Sequence, residues 1–153
     1  MPGDAPLQSD VTTPSPARPE RLPRWELLAL FLGDLVTLTI FAAVGRSSHS
    51  MAVSEGPLLD VLNTAAPFML AWLLSGIAVG LYSGKALFPL GRVLLRTLVT
   101  GLIAGPLAVA LRAIWLGRPI NWIFVLVATG TSTLMMLVWR GAWAPPRPVW
   151  GAR

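Results

Sequence analysis

A chain of 153 residues, 54% hydrophobic and only 12% charged, with a mean hydropathy of +0.66, lies outside the range of an ordinary soluble domain. One membrane-embedded domain uses nearly the whole length, which leaves no room for a separate catalytic domain. Twelve Lys and Arg against seven Asp and Glu give a net charge of +5; with no basic patch interleaved with aromatics, this excess points to membrane topology and lipid contact and excludes nucleic acid as a partner.

Cysteine is absent, which excludes disulfides, iron–sulfur clusters, thiolate catalysis and covalent haem attachment. The single histidine, His49, excludes a haem held by two histidines of one chain. No metal, nucleotide or nucleophile-elbow motif is present, and no cofactor is expected.

Residues 1–24 are rich in Pro, Ser, Thr and Asp, contain no apolar run, and read as a disordered tail. Arg18, Arg21 and Arg24 then precede the first span, Trp25 to Val44. This is the arrangement of a signal peptide, but a signal h-region runs about 7–15 residues and this one about twenty, so the segment reads as a retained anchor. Near its middle stands Asp34. An acid at that depth costs at least a few kcal/mol unless it is neutralised, paired or hydrated, and so marks a polar site, functional or structural.

A polar loop follows from Gly45 to about Pro57, carrying Arg46 and His49. The second span, about 58–82, opens with Asp60 and Asn63, which suit a helix N-terminus, and contains Pro67, expected to kink it. Gly76, Gly80 and Gly84 recur at a spacing that gives a helix a close-packing face. The third span, about 93–116, repeats that spacing at Gly101 and Gly105, with Pro106 next to them, and also carries Arg96 and Arg112. The fourth, about 122–139, has Gly130, Thr131, Ser132 and Thr133 at mid-depth, and residues 141–153 form a Pro-rich tail. The fold class is therefore all-α: a polytopic bundle of four transmembrane helices within residues 25–140.

Orientation follows from the basic residues. With the N-terminus inside, Arg18, Arg21, Arg24, Lys85, Arg92, Arg96, Arg140, Arg147 and Arg153 lie on the inner side, and Arg46, Arg112 and Arg118 on the outer. That bias places both termini in the cytoplasm, with Trp25, Trp115, Trp122, Trp139 and Trp143 near the span ends as an aromatic belt.

At about 100° per residue, Asp34 shares a helix face with Leu27, Leu30, Leu38, Phe41 and Gly45. The same arithmetic puts Arg112 on the side of Gly101 and Gly105, pointing into the bundle, and Arg96 opposite, reaching for lipid headgroups. Asp34, Arg46, His49 and Arg112 thus form a candidate outer-facing polar pocket. Arg112 is the expected partner of Asp34, and Arg96, nearer in height, is its rival.

The order GDLVTLTIFAAVGRSSHS, APFMLAW, LLRTLVTGLIAGPLAVALR, FVLVATGTSTLMMLVWR, over about 25–140, resembles a family of small bacterial and plastid-related membrane proteins described only as domain of unknown function 3054. The resemblance implies a four-helix, multi-pass protein of a bacterial cytoplasmic membrane and no particular activity. Two functions from different classes remain: a pocket that binds or passes a small solute or proton, alone or as a homo-oligomer, and a non-catalytic scaffold that packs through its glycine faces in a larger membrane complex. An acid–base enzyme is a distant third, since no second convergent acid, metal-ligand set or nucleophile accompanies Asp34 and His49.

The cysteine-free background makes topology directly testable. Ser48→Cys is expected to react with a membrane-impermeant thiol reagent in intact cells; reaction only after the membrane is broken reverses the assigned orientation.

Overall fold

The computed structural model describes residues 24–48, 56–83, 89–117 and 119–143. His49, Gly84, Lys85, Arg118 and the two sequence-predicted tails, up to Pro23 and from Ala144, lie outside the described residues. Four helices follow in chain order: α1 (Arg24–Ser48), α2 (Pro57–Val79), α3 (Leu90–Leu116) and α4 (Trp122–Trp143). Each is long and apolar enough to cross a membrane. α1 packs on α2 and α4, and α3 packs on the same two helices, so the bundle is a ring in which α1 and α3 stand diagonally apart.

Two helices run further than their apolar stretches. α1 continues through the polar residues after Val44, whose carbonyl accepts the hydroxyls of Ser47 and Ser48 at 2.9 and 2.8 Å. α4 continues past Trp139 to Trp143, which places Arg140, expected just beyond the end of the span, inside a helix. Pro67 and Pro106 both sit within unbroken helical segments.

In lipid no hydrophobic force drives one apolar helix onto another, so association depends on close packing and polar contacts. The outward face of α1 accordingly stays apolar, with Leu28, Leu32, Val36, Ile40 and Val44 exposed at four-residue spacing. The inward faces are small. α3 buries Thr97, Thr100, Gly101, Ala104, Gly105 and Ala108, and α4 answers with Ala128, Thr129, Ser132 and Thr133. A Cβ on Gly101 would lie 2.3 Å from Thr133 Oγ1, and one on Gly105 would lie 2.3 Å from Thr129 Oγ1. Among the described residues neither hydroxyl has a conventional hydrogen-bond partner; set against glycine Cα atoms, they are in the position of Cα–H···O acceptors.

The second predicted glycine row divides into different roles. Gly80 is not a packing residue: it closes α2 in the left-handed conformation, at φ 70°, and the Leu81 amide returns to the Gly76 carbonyl at 2.8 Å. The reversal sends Leu81 and Tyr82 back onto the bundle. Gly76 makes room for them, since a Cβ there would meet the Tyr82 ring at 3.0 Å.

The α3–α4 contact predicts a sharp contrast between glycines. Gly101→Ala is expected to destabilise the bundle by about 1–3 kcal/mol through overpacking, with Thr133→Ala recovering part of the loss. Gly130→Ala, where a Cβ meets nothing within 4 Å, is expected to be neutral or slightly stabilising. Unfolding titrations in detergent read all three, and equal effects at positions 101 and 130 would refute the close contact.

Candidate functional site

Asp34 sits on the inward stripe of α1 with Leu30, Thr37, Leu38 and Ala42, and is 0% exposed. Its partner is Arg140 of α4, itself 1% exposed. Arg140 Nε donates to Asp34 Oδ1 at 3.2 Å, and Nη2 donates to Oδ2 in the same two-pronged contact. Two further donors converge on Oδ2: Trp72 Nε1 from α2 at 3.1 Å, and the Tyr82 hydroxyl from the turn after α2 at 2.8 Å. The Arg140 guanidinium also lies 5.2 Å from the centre of the Tyr82 ring, within cation–π range. Burial first, and then the negative charge of Asp34, hold the Tyr82 phenol well above its usual range, so it stays protonated and donating.

This geometry corrects the expected pairing. Neither Arg112 nor Arg96 meets Asp34, because both belong to α3, diagonal to α1 in the ring. Arg96 is engaged within the bundle: its Nη1 donates to the Gly80 carbonyl at 2.9 Å and to Ser83 Oγ at 3.1 Å, fastening the turn that presents Tyr82. Arg140, counted from the sequence as a flanking topology residue, is the residue that reasoning missed. The signal available for it was its place as a lone cation at the end of an apolar run in a chain with one deep acid.

The opposite end of the bundle holds a different arrangement. Arg46, near the end of α1, reaches α2, donating to Asp60 Oδ2 at 3.2 Å and to Thr64 Oγ1 at 3.3 Å. Arg112, near the end of α3, lies with its guanidinium 5.0 Å from the Phe124 ring centre on α4. Both arginines line a cavity of about 210 Å³ whose remaining wall is mainly apolar, with Phe41, Phe68, Phe124 and Met135. Of the four residues proposed as one pocket, then, Arg46 and Arg112 line one cavity, Asp34 lies apart in its own cluster, and His49 is outside the described residues.

The family of proteins of unknown function DUF3054 matches residues 31–143, from the third turn of α1 to the end of α4. The chain belongs to this family. No curated protein and no solved structure matches it. The match in this DUF3054 member spans both the Asp34–Arg140 cluster and the arginine-lined cavity.

The buried pair predicts strong coupling. Asp34→Asn strands Arg140 without its counter-charge and is expected to cost about 3–5 kcal/mol, as is Arg140→Gln in the reverse sense. The double variant is expected to be markedly more stable than the two losses added together, because an amide oxygen still accepts from Trp72 and Tyr82. Additive losses in detergent unfolding experiments would remove the pairing.

Proposed function

We propose that this integral membrane protein binds a small molecule with an apolar body in the cavity between α1 and α4, with Arg46 and Arg112 at its polar end. The observation that carries the reading is the combination of a concave, mainly aromatic and aliphatic wall with two arginines lining the same cavity, a mix of apolar wall and few polar groups that suits a ligand site. The cavity is smaller than a typical drug-sized site of roughly 300–1,000 Å³, which suits a fragment-sized ligand or one end of a longer molecule. The basic-residue bias puts this end on the outer side of the membrane.

Asp34 takes no part in that site. Its carboxylate accepts from Arg140, Trp72 and Tyr82, which supports a role in holding α1, α2 and α4 together. The scaffold reading is weakened at its stated basis, since Gly101 and Gly105 are already covered by threonines of the chain's own α4.

Gly45 lines the cavity, and a Cβ built on it meets nothing within 4 Å, so Gly45→Phe is a filling variant that leaves the core intact. A ligand that binds only the folded state raises its stability by mass action. n-Hexanol, hexanoate and benzene are therefore each to be scanned for a rise in unfolding temperature in detergent. At least one is expected to stabilise the parent and none the Gly45→Phe variant; equal rises in both would set the cavity aside as the site.

A further inference from the structure

The cavity lies where α1 and α4 part. Antiparallel to each other, these helices meet at Asp34 and Arg140, and there a Cβ on Gly33 would fall within 1.9 Å of the Trp139 ring. Further along, the same two helices contribute Phe41, Val44 and Gly45 on one side and Val127, Thr131 and Met135 on the other to the cavity wall. Val44 is 55% exposed and Val127 60%, and Thr131 is exposed as well. These residues lie within helices that span the membrane, so the mouth between them opens sideways toward lipid tails and not only along the bundle axis.

Among the described residues the charged side chains of the wall are both arginines, and both stand at one end: Arg46 two residues before the last of α1, and Arg112 four before the last of α3. That is the depth of the headgroup layer, where long basic side chains hold anionic groups. A guanidinium carries five donors in a fixed fork and can hold more than one acceptor at a time. From Phe124 to Met135 the wall follows α4 over eleven residue steps, or about 17 Å at ~1.5 Å per residue, and among the described residues no charged side chain lines it below the arginines. Beyond it the interior is closed by the buried Leu38 and Met136 and then by the Asp34–Arg140 cluster.

We propose that the α1–α4 cavity takes a single-chain amphiphile with an anionic head, which enters sideways from the bilayer, sets its head against Arg46 and Arg112, and lays its chain along α4. The inference rests on the cavity being a binding site, and it names the class of ligand and the route. Such a molecule is held and not passed across, because the far end of the cavity is sealed.

Laurate carrying a photoreactive group on its chain, applied to the full-length protein in phosphatidylcholine nanodiscs, tests it, with the crosslinked peptides located by mass spectrometry. Labelling is expected to concentrate on residues 41–45 and 127–135, and to be displaced by excess laurate at concentrations roughly ten-fold lower than dodecanol and not at all by butyrate. Thr131→Trp, an exposed change at the mouth, is expected to abolish the focused labelling at an unchanged unfolding temperature, and Arg112→Gln to weaken it roughly ten-fold. Dodecanol competing as well as laurate overturns the anionic head. Butyrate competing equally well overturns the chain and the lateral route while leaving a ligand-binding cavity in place. Label spread evenly over the lipid-facing helix surfaces, and indifferent to Thr131→Trp, overturns this inference and the cavity reading together.

Discussion

A carboxylate and a guanidinium, both shut away from water inside a hydrocarbon-facing bundle, set the terms for the rest of this structure. Desolvating two such charges costs several kcal/mol each, and only good geometry with full hydrogen bonding offsets it. The fork of Arg140 on both oxygens of Asp34, with Trp72 and Tyr82 added, supplies that geometry. Each donor comes from a different part of the chain, so three helices and one turn are fixed in register by one acid. The supporting parts follow from this need: a left-handed Gly80 to reverse the chain, a side-chain-free Gly76 to admit the Tyr82 ring, and Arg96 to hold the turn closed.

The remaining seams use a different kind of contact. α3 lies between α2 and α4 through small residues, where backbones approach closely enough that a single methyl group on Gly101 or Gly105 has nowhere to go. α1 relies less on a row of small residues, and among the described residues its one close glycine approach is Gly33, where a Cβ would fall 1.9 Å from the Trp139 ring of α4. α1 is secured at Asp34 by charge and at Arg46 by the pair with Asp60, and between these ties its side chains leave the cavity unfilled.

The four spans were plain from hydropathy, because apolar runs of about twenty residues are hard to read otherwise. Asp34 was equally plain as the residue that demanded a partner. The partner was not, for two physical reasons. Helical periodicity ranks directions around one helix and says nothing about which helix lies next to it, so it cannot exclude the two arginines of α3, although α3 is diagonal to α1. In addition, an arginine at the end of an apolar run is normally a headgroup anchor, and only the extension of α4 to Trp143 brings Arg140 inside. The glycine rows were legible as small surfaces, yet spacing alone could not separate a contact at Gly101 from a helix cap at Gly80.

The separation of Asp34 and Arg140 along the chain also sets an order of events during synthesis. The acid leaves the ribosome 106 residues ahead of its base. At 5–20 residues per second that is a wait of roughly 5–20 s, during which α1 sits in or beside the membrane without its counter-ion. For that interval its acid must be neutral or kept wet, so α1 has reason to linger at the insertion machinery instead of partitioning fully into lipid. The arrival of α4 is what releases it, and the Asp34–Arg140 tie then joins the first and fourth helices of the bundle.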